Sequence, residues 1–224
     1  MEAYFPVLSA CPLFEGISKP DLLRMLSCME GKYQRVMKGR PVFLEGDPAG
    51  FVGIVLEGSI QIVRDDYYGH RSVLAHATPG ELFAEDFSCA GADVMPVSGY
   101  ALKDSLVLLL SCRKMLTVCS GACDFHNRLI KNLLQVIVQK NLSLSQKIQF
   151  MSQKTTRDKL IAFLLDQAKR YGSSEFTIPF DRQALADYLG VERSAMSTEL
   201  GKLRKAGFLE CKGSHFRLYA QHQL

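Results

Sequence analysis

Cys112, Cys119, Cys123 and His126 fall within 15 residues of one another. These residue types hold zinc or an iron–sulfur cluster, or act as a thiol switch. Cys119 and Cys123 are four positions apart, which puts both on one face if they lie on a helix. The spacing C-x6-C-x3-C-x2-H matches no standard metal motif, and cysteine is also a small apolar residue at home in a core. Cys123, seven residues before Ile130, also fits a packing role; Cys89 is a separate single thiol. A second set is Arg193, Ser194, Ser197, Thr198 and Lys202. Its spacing lays five polar side chains along one helical stripe. Such a stripe on a helix presented to DNA reads base edges, with Arg193 as the bidentate reader of guanine and Ser and Thr making less discriminating contacts.

The elements that must position these residues are legible in the pattern. From about Lys32 to Val118 short apolar runs alternate with turn residues, as in PVFLEGD, GFVGIVLEG and SIQIVRDDYYGH. Gly46, Gly58, Gly69 and Gly80 recur every 11 or 12 residues. That rhythm predicts an antiparallel barrel or jelly roll rather than alternating strand–helix units. Ser18 and Pro20 open a short helix over 19–29. From about Gly121 to Met151 the period turns helical. Ile130, Leu134, Ile137, Asn141, Leu144 and Ile148 are spaced 4, 3, 4, 3, 4, a heptad seam with one Asn at an a-type position. A buried Asn there is satisfied by its symmetry mate in a parallel dimer. Leu129, Leu133 and Val136 form a second apolar face expected to pack on the barrel.

Beyond Met151 a helix is predicted over 156–171, stopped by Gly172, and then a short strand over 176–179. Asp181 caps a helix that ends at Gly190, and a turn through Val191 and Glu192 opens a second helix that closes at Gly207. Residues 208–211 and 216–219 make a hairpin around Lys212, Gly213 and Ser214. Helix, turn, helix and hairpin form a winged helix-turn-helix. Met196, Leu200 and Leu203 would face the first helix, leaving the polar stripe outward. Arg182 and Gln183 at the start of the first helix, with Lys212 and His215 on the wing, are candidate phosphate contacts. Two such helices related by a dimer axis should read a palindrome of double-stranded DNA with half-sites ~34 Å apart. The expected class is α+β, divided into a sensing roll (1–120), a dimerisation helix (121–151) and a DNA-binding domain (152–224).

Composition agrees. The chain has 224 residues, 47% hydrophobic and 22% charged, which excludes a disordered chain. Residues 1–148 carry 15 Lys and Arg against 15 Asp and Glu; residues 149–224 carry 12 against 8, so the net +4 sits in the last third. A polyanion is expected to meet that part. No apolar run approaches the ~20 residues of a membrane span. The first residues include Glu2 and no basic stretch, so no secretory leader and a cytoplasmic location are expected. Seven cysteines, an odd number, suit reduced thiols better than a disulfide framework.

The segments E-G-D (45–47), L-E-G-S-I (56–60), P-G-E-L-F-A-E (79–85) and R-Q-x-L-A-D-Y-L-G-V-x-R-S (182–194) resemble the cyclic-AMP receptor and fumarate–nitrate reduction regulator family over nearly the whole chain. The resemblance implies a bacterial homodimeric transcription regulator, with RNA polymerase as a further partner and an effector in the roll that sets the DNA-binding geometry. Two departures stand out. The family's cyclic-AMP cassette is a Gly-Glu pair followed by Arg-Ser; here the Glu is Glu85, but the Gly position is Ala84 and the Arg-Ser positions are Met95 and Pro96. Without that guanidinium a nucleotide phosphate is poorly paired, so no cyclic-AMP response is expected. The recognition helix has Ser194 and Thr198 where many relatives carry Glu and Arg, so the operator should differ.

An apolar or weakly anionic organic effector is expected beside Phe83, Glu85 and Met95, against the long helix near Leu129 and Leu133. Only Cys11 and Cys28 lie near the N-terminus, too few and too widely spaced for the family's N-terminal cluster. A thiol- or metal-based redox sensor of the same architecture is the first alternative. A cupin-like metalloenzyme is the second, weakened because His70 and His76 lack the His-x-His spacing; a roll serving as an interaction module beside a vestigial DNA domain is the third.

Overall fold

The computed structural model describes residues 2–68, 70–117 and 124–219. Residues 1–138 and 139–224 form two compact units. The division falls inside the long helix, not at its ends near 121 and 151.

In the first unit eight strands make two four-stranded antiparallel sheets. β1 (Lys32–Val36), β3 (Phe51–Glu57), β6 (Leu82–Phe83) and β8 (Ser105–Ser111) are ordered β1-β8-β3-β6; β2 (Pro41–Phe43), β4 (Ile60–Asp65), β5 (Arg71–Ala77) and β7 (Ser98–Ala101) are ordered β2-β7-β4-β5. The nearly unbroken apolar text of β3 and β8 has a simple cause. Strand side chains alternate between faces, and both faces of this sheet are covered. Val52, Ile54, Leu56, Leu106, Leu108 and Leu110 pack with Leu8, Leu13, Phe14, Leu22, Met25, Leu129 and Leu133. Val55 and Val107 point the other way, into the roll, with Phe43, Ile60, Phe83, Met95 and Val97.

The helices of this unit are α1 (Phe5–Ala10), α2 (Lys19–Cys28), α3 (Glu85–Cys89), α4 (Cys112–Leu116) and α5 (Asp124–Met151). Ser18 caps α2 by accepting from the Asp21 amide, as its position before the apolar period predicts. The start of the chain is tied to α5. Buried Asn132 donates to the carbonyls of Leu13 (3.0 Å) and Glu15 (2.9 Å), and Arg128 donates to that of Gly16.

Ala84, which precedes α3, has φ 64° and ψ 0°, the left-handed region. An alanine there brings its Cβ close to the following carbonyl. Ala84→Gly is expected to raise stability by about 0.5–1 kcal/mol, the strain relieved less the extra chain entropy of glycine. Urea unfolding of the two proteins measures it; a midpoint unchanged or lowered would remove the strain from the account.

The second unit holds the end of α5, α6 (Thr156–Tyr171), β9 (Glu175–Thr177), α7 (Arg182–Leu189), α8 (Arg193–Lys205), β10 (Leu209–Lys212) and β11 (His215–Leu218). Its three-stranded sheet is ordered β10-β11-β9. Phe150, Phe163, Leu164, Leu185, Leu189, Met196, Leu200 and Phe216 form its core. Asp181 caps α7, and Gly172 and Gly190 close α6 and α7 in left-handed conformation, as the text predicts; Thr155 caps α6. The short strand lies at 175–177, starting one position and ending two positions before the 176–179 that its apolar pattern predicts.

Candidate nucleic-acid interface and roll interior

α8 is amphipathic in the sense a groove-reading helix requires. Met196, Leu200 and Leu203 are buried on its inner face. Arg193, Ser194, Ser197, Thr198 and Lys202 are exposed together on the outer one. The angle between α7 and α8 is set at Gly190, φ 60° and ψ 52°; a Cβ there would lie 2.9 Å from the Met151 Cε, so only glycine makes this turn without strain. Within the stripe, Thr198 Oγ1 donates to the Ser194 carbonyl (3.0 Å), which leaves its lone pairs to accept. Lys202 is paired with Glu199 at 2.6 Å, lowering its net attraction for phosphate. Arg193 and Lys212 make no ion pair among the described residues.

The other predicted contacts are placed less simply. Arg182 is half-buried: its guanidinium lies over the Phe216 ring, 5.2 Å from the centroid, and donates to Cys211 Sγ. These contacts join α7 to the wing at the residue expected to sit over the phosphate backbone. Gln183 is exposed and bonded to Asp187 one turn on. His215 bridges Glu175 (3.0 Å) and Thr177 (3.1 Å). Arg217, followed by His215, holds the Glu175 carboxyl below the usual carboxylate range by hydrogen bonding to it. Lys212 remains as the exposed cation at the wing's tip.

Residues the sequence reading missed lie at the start of α6. Thr155, Thr156 and Arg157 share a groove of about 550 Å³ with Ala195, Thr198 and Glu199 of α8. Thr155 accepts from the Asp158 amide, so a helix N-terminus and an exposed arginine flank the recognition stripe. The T-x-x-D capping pattern was the available signal.

In the roll, Phe83 and Met95 are buried at 2% and 0% exposure. The rings of Phe43 and Phe83 stack 6.2 Å apart and 5° from parallel. Each also presses on a glycine of the opposing strand. A Cβ on Gly53 would lie 2.1 Å from the Phe83 ring, and one on Gly99 would lie 2.4 Å from Phe43. The two rings pack in the roll core with Val36, Val55, Ile60, Met95 and Val97. Leu129 and Leu133 belong to the other core, on the far side of the β1-β8-β3-β6 sheet. Of the residues expected to border one effector site, Phe83 and Met95 share the roll core, and a strand layer separates them from Leu129 and Leu133. Glu85 is fully buried at the start of α3.

Of the proposed metal or thiol set, Cys119 and Cys123 lie outside the described residues. Cys112 is buried, and buried His126 is hydrogen-bonded through Nε2 to the Met115 carbonyl at 3.0 Å. Among the described residues no three His, Cys, Asp or Glu side chains are grouped to hold a metal ion. Cys11 is buried, and burial pushes its thiol up to about 11, unsuited to reactivity.

Comparison with known proteins decides the family. Residues 33–121 match the cyclic nucleotide-binding domain, and residues 158–224 match the Crp-like helix-turn-helix domain. The chain belongs to the CRP/FNR family. It is therefore a DNA-binding transcription regulator, with an effector-binding domain before its helix-turn-helix, and not a cupin-like enzyme. Electron transport regulator A of Shewanella oneidensis is 23% identical over 194 residues, which cover 84% of this chain and 75% of that protein. The transcriptional activator FnrA of Stutzerimonas stutzeri is 22% identical over 186 residues, covering 81% and 74%. Among solved structures, the CRP/FNR fold is shared with the regulator CLP of Xanthomonas campestris, described as responsive to c-di-GMP (TM-score 0.57, 21% identity, 89% of this chain and 98% of that one). It is shared too with DNR of Pseudomonas aeruginosa (TM-score 0.51, 20% identity, 99% and 96%). Among the described residues no helix is long and apolar enough to cross a membrane.

Proposed function

We propose that this CRP/FNR member acts as a homodimer that binds a palindromic operator through α8, under the control of a small effector other than a cyclic nucleotide. One observation carries the DNA-binding mode: the exposed stripe Arg193–Ser194–Ser197–Thr198–Lys202 backed by buried Met196, Leu200 and Leu203. Arg193 reads a base edge, Ser194, Ser197 and Thr198 add weaker contacts, and Lys202, Lys212, Gln183 and Arg157 lie toward the phosphates. Support for the dimer comes from α5. Leu134, Leu144 and Ile148 are 61%, 56% and 59% exposed in the single chain, and Asn141 lies on the same face. Apolar residues at heptad spacing are left uncovered until a second helix meets them. Ile130 and Ile137 are half-buried at the edge of this seam.

The effector reading rests on the roll. Met95 and Pro96 replace the cassette's phosphate ligands, and Phe43 and Phe83 occupy the interior. Cyclic AMP would meet no guanidinium at those two positions. Millimolar cyclic AMP is expected to leave the thermal midpoint unchanged; a rise of several degrees would overturn that exclusion.

Operator selection from random duplexes, followed by binding at fixed salt, tests the DNA contacts. Arg193→Ala is expected to weaken the selected site by about 1–3 kcal/mol, roughly 10- to 100-fold, and to relax preference at one base pair per half-site. Lys212→Ala should weaken all sequences alike and lower the salt slope by about 1. Equal affinity of wild type and Arg193→Ala for the selected site would refute the assignment.

A further inference from the structure

Cys89 closes α3, and Cys112 opens α4. The two are 23 residues apart in sequence, yet their sulfurs lie 3.4 Å apart. Neither belongs to the DNA-reading surface. We infer that Cys89 and Cys112 are a reversible oxidation site, forming an intramolecular disulfide with a small hydroperoxide as oxidant. A disulfide is ~2.05 Å long, so the sulfurs need approach by only about 1.4 Å, within reach of a side-chain rotation and a small movement of the short helices. Cys112 is buried and Cys89 half-buried, which admits only a small oxidant such as hydrogen peroxide.

The chemistry is a two-electron step. The Cys112 thiolate attacks one peroxide oxygen, the O–O bond breaks, and hydroxide leaves and is protonated to water. The Cys89 thiol then attacks the resulting sulfenic sulfur; the S–O bond breaks, the S–S bond forms, and a second water leaves with the Cys89 proton. Two electrons pass from the sulfurs to the peroxide. The order of the two thiols follows from their surroundings. The sulfur–sulfur hydrogen bond holds Cys112 below the usual thiol range and pushes Cys89 above it, with burial and the carboxylates of Glu85 and Asp86 adding to the rise.

The bond would join two parts that otherwise meet only by packing. α3 follows the strained Ala84 at the degenerate cassette, whereas α4 leads toward α5, where His126 Nε2 is bonded to the Met115 carbonyl. Oxidation would thus fasten the cassette helix to the base of the long helix. It requires no metal, and it does not depend on the DNA-binding reading.

The test uses the full chain, reduced and then treated with one to ten equivalents of hydrogen peroxide, denatured, alkylated and mapped as non-reduced peptides. The expected result is a cross-link joining the Cys89 and Cys112 peptides, loss of two of the seven alkylatable thiols, and their recovery with dithiothreitol. Cys89→Ser should abolish the cross-link, and Cys112→Ala provides the second variant. A cross-link from Cys112 to Cys119 or Cys123, sulfinic acid without a cross-link, or seven thiols still alkylatable would each overturn the proposal.

Discussion

Changing Leu134 and Ile148 together to glutamate is expected to leave the protein monomeric with its fold intact. Both side chains are more than half exposed in the single chain, 61% and 59%, so little intramolecular packing is lost. In a parallel pair each meets its symmetry mate, and four apolar side chains leave the interface at once. At about 1.5 kcal/mol or more for each buried aliphatic side chain, the dimer loses roughly 6 kcal/mol, a factor of ~10⁴ in Kd, before like-charge repulsion is added. DNA binding should fall with it, because each monomer then engages one half-site without the effective concentration that the linked pair supplies. Sedimentation equilibrium reads the assembly, and circular dichroism reads the fold. A dimer that survives both glutamates would place the interface elsewhere. Asn141→Leu is the companion variant: it should strengthen association while loosening its register.

Phe83→Ala is expected to cost about 3–5 kcal/mol, the range for removing a buried aromatic. The reason lies in the ring's neighbours. Phe83 stacks on Phe43, and Gly53 has no side chain because the ring occupies that space. Neither neighbour can grow into the void, so the truncation leaves an apolar cavity inside the roll. Such a cavity stays dry and takes small aromatic ligands. Saturating benzene or indole should therefore return part of the lost stability to Phe83→Ala and none to wild type, by preferential binding to the folded state. Paired denaturation curves with and without ligand measure both effects. A loss below about 1 kcal/mol, or equal ligand stabilisation of both proteins, would mean that the aromatics do not plug the roll. The result bears directly on effector access, since a natural ligand would have to displace the same rings or bind outside them.

Much of this architecture was written in short-range patterns. Ser18, Thr155 and Asp181 accept hydrogen bonds from amides three residues on, and Gly172 and Gly190 close helices in the left-handed region. These signals act within one helical turn, so the text alone determines them. The same holds for the seam on α5, whose exposed members keep their heptad spacing, and for the outward stripe of α8 over its buried Met196, Leu200 and Leu203. The helices α3 and α4 were not legible, being five residues each and enclosed by strand-like text.

What remained was decided by packing across long separations. Whether an apolar face meets the roll or the helices depends on which sheet it joins, and this put Phe83 and Met95 on one side of β3 and β8 and Leu129 and Leu133 on the other. Arg182 became a wing contact because Phe216, 34 residues later, folds beneath it. Asn132 found its partners at Leu13 and Glu15, more than a hundred residues back. Cys89 met Cys112 only because α3 and α4 close over the same strand, β3. Periodicity and capping are properties of neighbours along the chain, and by themselves they determined the elements and their amphipathic faces. The meeting of residues tens of positions apart depends on how two sheets and a long helix share their cores, so only the tertiary structure decided it.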